Sequence, residues 1–72
     1  MKVIFDRRLT ELEQERIRQL VGFYRGISLF RNDRELYIEE KENFSSEACI
    51  MTLKSTDVPI AYIETESYLN GA

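Results

Sequence analysis

The stretch Thr10 to Gly26, TELEQERIRQLVGFYRG, is the one segment with a sustained helical period and readable ends, and it decides what the rest of the chain can become. At about 100° per residue, Leu9, Leu12, Ile17, Leu20, Val21 and Tyr24 fall within roughly half the circumference, the broad apolar stripe of a helix lying on a sheet. Thr10-Glu11-Leu12-Glu13 has the pattern of a capping box: the Thr10 hydroxyl accepts from the Glu13 amide and the Glu13 carboxylate accepts from the Thr10 amide. Arg16, one turn on, is expected to pair with Glu13. Glu11, Glu13 and Glu15 near the start and Arg18 and Arg25 near the end suit the helix dipole. Gly26 is the expected C′ residue, with Gly22 as an earlier alternative stop.

A helix with one apolar side needs a layer to cover, and the flanking segments read as strands. Val3-Ile4-Phe5 has no polar member, so Lys2 to Phe5 is expected to be an inner strand, covered on both faces or paired on both edges. Asp6-Arg7-Arg8 forms the turn into the helix, its arginines solvated. After the helix, Ile27 to Arg31 and Arg34 to Glu40 flank Asn32-Asp33, two residues that tolerate the left-handed conformation, and a tight hairpin follows. A two-residue loop there sets Arg31 opposite Arg34, Phe30 opposite Glu35, Leu29 opposite Leu36, Ser28 opposite Tyr37 and Ile27 opposite Ile38. Ile27, Leu29, Leu36 and Ile38 then face the helix. Phe30 and Tyr37 share the other side with Ser28 and Glu35.

The second half divides between two readings. Ser46-Glu47 suits a helix start, but Ala48, Cys49, Ile50, Met51 and Leu53 point all round a helical wheel, so a strand at 48–54 paired with 60–66 across Thr56-Asp57 is preferred. Pro59 then lies near the start of the last strand, where a missing amide is tolerated, above all on an edge. The fold class is α+β: one amphipathic helix packed on a small, mainly antiparallel sheet in the order β-α-β-β-β-β. If 46–54 is helical the order becomes βαββαβ, the ferredoxin-like arrangement, whose uncovered sheet face is a binding platform. Residues 1–66 make a single domain, and 67–72 a short C-terminal tail that frays or forms a single turn.

Size and composition narrow the chemistry. A chain of 72 residues buries only about 60% of the surface its unfolded form exposes, so self-association as a homodimer is expected. One cysteine allows no intrachain disulfide, and one cysteine without histidine allows no ordinary zinc site; Cys49, within Ala48-Cys49-Ile50-Met51, reads as buried packing. MKVIFDRR is too short in apolar residues for a signal peptide and no stretch approaches a membrane span, so a cytoplasmic location is expected. Residues 1–36 hold eight Lys/Arg and six Asp/Glu, residues 37–72 two and seven, and this asymmetry suits either association through opposite charges or a solvated acidic rim.

Without histidine, neutral-pH acid–base chemistry and serine or cysteine triads lose their usual base. Glu39-Glu40-Lys41-Glu42-Asn43 lacks the spacing of a calcium loop, and no Walker loop, Gly-x-Gly-x-x-Gly or Cys-x-x-Cys is present. The expectation is therefore no enzyme, no catalytic or metal-ligating residue and no cofactor. A non-catalytic protein-interaction or regulatory module is expected, in the style of phage or mobile-element regulators and inhibitors, with Phe30, Tyr37, Arg31 and Arg34 as binding residues for a protein partner or a second copy. The alternative is a small nucleic-acid-binding module using the Arg/aromatic hairpin 25–37, disfavoured by Asp33, Glu35, Glu39 and Glu40 beside the cations and an acidic pI of about 4.9.

Overall fold

The computed structural model describes residues 1–65. In chain order the elements are β1 (Lys2–Phe5), α1 (Glu11–Phe23), β2 (Gly26–Asn32), β3 (Glu35–Glu40), α2 (Ser46–Ser55) and β4 (Ile60–Glu64). The strands make one antiparallel sheet in the order β2-β3-β1-β4. Helix α1 thus joins β1 to β2 around β3, and α2 joins β3 to β4 around β1. The class is α+β, and the order βαββαβ with this interleaving is the ferredoxin-like arrangement.

The strand expected at 48–54 is therefore corrected to a helix, and β4 pairs with β1 rather than with its sequence neighbour. The apparently all-round apolar wheel resolves on packing. Cys49 and Leu53, one turn apart, are fully buried, Ala48, Ile50 and Thr52 are half-buried, and Glu47, Lys54 and Ser55 are exposed along with a single large apolar side chain, Met51. A wide apolar surface is usable because α2 meets α1 as well as the core. The hydroxyl of Tyr24, the residue that caps the end of α1, lies 2.7 Å from Thr52 Oγ1, which also donates to the Ala48 carbonyl at 2.9 Å.

Helix α1 begins as its sequence indicates. Glu13 N donates to Thr10 Oγ1 at 3.2 Å and Thr10 N donates to Glu13 Oε1 at 2.9 Å, the complete capping box. Its end differs from both expected stops. The last helical residue is Phe23, Arg25 takes the left-handed conformation at φ 70°, and Gly26 opens β2. A Cβ on Gly26 would come within 2.7 Å of the Phe44 ring, 2.9 Å of Val21 and 3.0 Å of Ile38, so the glycine there serves close packing instead of backbone reversal. Ile17 and Val21 carry the apolar stripe into the core and Leu20 and Tyr24 flank it, but Leu12 stands 63% exposed. The Glu13–Arg16 pair is replaced by Arg7–Glu13; both arginines of the β1–α1 turn are exposed, as expected, and Arg8 also pairs with Asp33 at 2.9 Å.

The core lies between the helices and one sheet face: Val3 and Phe5 from β1, Leu36 and Ile38 from β3, Ile17 and Val21 from α1, Cys49 and Leu53 from α2. Each fully buried large side chain contributes about 1.5–3 kcal/mol relative to exposure. As expected, β1 is an inner strand, paired with β3 on one side and β4 on the other. Pro59 stands immediately before β4, an edge strand, and its carbonyl accepts from the Asp6 amide at 2.7 Å. Residue 66 and the tail at 67–72 lie outside the described residues.

Candidate functional site

With both helices on one side, the other sheet face is uncovered among the described residues, and strand alternation decides what it displays. On β1, Val3 and Phe5 point to the core, so Lys2 and Ile4 point away. Their cross-strand neighbours follow: Tyr37 and Glu35 on β3, Glu64 and Tyr62 on β4. On β2, Leu29 sits opposite Tyr37 and Ile27 opposite Glu39. The open face thus reads Leu29, Tyr37, Lys2, Glu64 along one row and Glu35, Ile4, Tyr62 along the next. Leu29 is 55% exposed, Tyr62 52% and Ile27 41%, while Tyr37 and Ile4 are half-buried among their neighbours.

This register differs by one residue from the one expected for the β2–β3 hairpin. The two-residue turn is Asp33-Arg34, closed by Asn32 opposite Glu35, and the ladder shifts between Phe30 and Asn32, leaving Arg31 as an extra, bulged residue. The cause is the Asn32 side chain. Its Oδ1 accepts from the Arg34 amide at 2.8 Å and its Nδ2 donates to Glu35 Oε1 at 3.2 Å, so Asn32 shapes the turn from its first position rather than entering it. A one-residue slip exchanges faces. Phe30 therefore leaves the open face for the helix side, opposite Leu36 and under the Arg18 guanidinium at 5.1 Å from its ring centre, while Leu29 and Ile27 move from the expected core side to the open one.

Of the four residues expected to form a site, two come together. Arg31 Nη1 donates to the Tyr37 hydroxyl at 3.2 Å, and its guanidinium carbon lies 6.0 Å from the ring centre, with Lys2 Nζ 5.7 Å from the same ring. Lys2 also reaches Glu35 at 4.0 Å. Arg34 is turned towards the β1 end, donating from Nε to the Phe5 carbonyl and from Nη2 to the Asp6 carbonyl, each at 3.4 Å. It lines a shallow depression of about 620 Å³ at the hairpin tip with Ile4, Arg8, Asn32, Asp33 and Glu35. Lys2, Ile4, Leu29 and Tyr62 were not among the expected site residues. Alternation along β1 marks the first two once Val3 and Phe5 are assigned to the core, but Leu29 and Tyr62 depend on the bulge and on β4 pairing with β1.

The chemistry of this face is aromatic and aliphatic contact set among charges of both signs. No group of three or more Cys, Asp or Glu suited to a metal occurs among the described residues. Cys49 is fully buried behind the sheet, as expected of packing, and its thiol is pushed up to about 11 by burial, with the Glu40 charge adding to the effect. No helix among the described residues is long and apolar enough to cross a membrane. No family model, no curated protein and no solved structure matches the chain.

Proposed function

We propose that the chain is a small non-catalytic interaction module that regulates a protein partner by occupying its surface with the open face of the sheet. The observation that carries this reading is the cluster of Leu29, Tyr37, Ile4 and Tyr62 on a face that no helix covers among the described residues, with Leu29 and Tyr62 each more than half exposed. Aromatic and aliphatic anchors ringed by polar groups are the usual make-up of a protein contact. Lys2, Arg31, Glu35 and Glu64 supply charges of both signs around it, suited to orienting a partner.

A nucleic-acid surface is less well supported by the same geometry. Phe30 faces the helices and Arg34 bonds backbone carbonyls, so Tyr37 keeps two cationic neighbours, Lys2 and Arg31, among Glu35, Glu39 and Glu64. The test is a photo-crosslinking side chain placed at Leu29 or Tyr62, compared with one at Gln19 on the exposed side of α1, in the cells that make the protein. Protein adducts confined to the sheet-face positions are expected. Adducts to nucleic acid, or equal yields at Gln19, overturn the reading.

A further inference from the structure

The two edges of the sheet are treated differently. β4 is entered through Pro59, carries Glu64 and has an irregularity where Ile4 and Phe5 pair with it, all features that discourage a further strand. β2 has none of these over Gly26-Ile27-Ser28-Leu29-Phe30, five residues without charge or proline and in regular register until the bulge at Arg31.

Which backbone groups β2 offers follows from its neighbours. Met1 N donates to the Ile38 carbonyl at 3.1 Å, Ile38 N donates to the Met1 carbonyl at 2.7 Å, and Phe5 N donates to the Arg34 carbonyl at 2.9 Å. The even-numbered residues of β3 therefore bond towards β1, and the odd-numbered ones, Tyr37 and Glu39, towards β2. Their partners Leu29 and Ile27 spend their amides and carbonyls on β3. Gly26, Ser28 and Phe30 are left with theirs directed to the free edge, and no other backbone bond involves them among the described residues.

We infer that the β2 edge pairs antiparallel with the β2 edge of a second copy about a two-fold axis at Ser28, joining two sheets into one continuous sheet. Only residues of even number bond across this edge, so a ladder centred on Ser28 uses the whole regular stretch: Ser28 opposite Ser28 and Gly26 opposite Phe30 as bonded pairs. Ile27 then stands against Leu29 of the other copy, twice, covering side chains now 41% and 55% exposed. The bonded stretch from Gly26 to Phe30 is uncharged and reads onto itself about Ser28, as a second copy requires; the like-charge pair of Arg31 with Arg25 of the other copy falls just outside it at each end, with Glu39 and Glu40 on β3 behind. The pairing shares Leu29 with the open-face contact proposed above but uses neither Tyr37 nor Tyr62.

Light scattering on the whole chain from micromolar to millimolar concentration, with amide exchange read residue by residue, tests this. Expected is a dimer whose formation slows exchange at Ser28 and Phe30. Ser28→Pro, which removes an outward amide and leaves the β3 ladder intact, should weaken dimerisation by roughly tenfold or more. The double variant Ile27→Lys with Leu29→Lys, at exposed positions, sets like charges opposite each other and should give a folded monomer. A monomer at all concentrations, a dimer in which Ser28 and Phe30 exchange freely, or protection at Ser28 only when a different protein is added overturns the inference. Tyr62→Asp probes the open face instead and should leave the dimer unchanged.

Discussion

Arg7 and Glu13 meet fork to fork, Nη1 on Oε1 at 3.0 Å and Nη2 on Oε2 at 2.7 Å, while the same carboxylate caps α1 through the Thr10 amide. One side chain therefore ties the β1–α1 turn to the first turn of the helix. The Arg7 guanidinium and then the Thr10 amide hold the Glu13 carboxyl at about 2, below its ordinary 4.5.

Because the folded value is depressed, the stability linked to Glu13 is present above pH 4.5 and is lost as pH falls from there through about 2. Denaturation midpoints measured across this range should fall for the natural chain. Glu13→Gln should begin lower at pH 7 and lose less on acidification, and an equal acid response in the two proteins would remove Glu13 from the account.

Two glycines should respond to alanine with opposite signs. A Cβ at Gly26 meets Phe44, Val21 and Ile38 at 3.0 Å or less, and Gly26→Ala should cost about 1–3 kcal/mol by overpacking. A Cβ at Gly22 meets nothing within 4 Å, and Gly22→Ala, inside α1, should stabilise by about 0.4–1 kcal/mol. Urea titration of both variants gives the signs directly.

Cys49 should be silent in the native protein. With its thiol at about 11 and its surface fully covered, alkylation at mildly alkaline pH should run at least about 100-fold slower than in urea. A native rate near the unfolded one would place the thiol outside the core.

How far the fold was legible in the sequence turns on particular residues. The Thr10–Glu13 cap and the inner position of β1 follow from local pattern, and the structure has both. The hairpin was legible in kind but not in register, because the two bonds of the Asn32 side chain shift the turn by one residue and the bulge at Arg31 absorbs the difference. That single slip sent Phe30 to the helix side and drew Leu29 out beside Tyr37, so half of the candidate face was misread. The left-handed residue after α1 is Arg25, not a glycine, because Gly26 is needed as a space for Phe44. Helix α2 was hidden by its own composition: period analysis expects a polar side, and a helix packed on both a sheet and another helix needs only a narrow one.

The pairing of β1 with β4 joins Lys2 to Glu64, almost the full span of the described chain. Contacts so distant in sequence close the largest loop among the described residues, and by loop entropy they form after the β2–β3 hairpin, whose strands are adjacent. Until that last closure β1 is an open edge, with the Lys2 and Ile4 backbone unpaired on the side that β4 will take. The chain thus passes through its most adhesive state just before completing its sheet, and its folding yield should be more sensitive to concentration than its native surface alone implies.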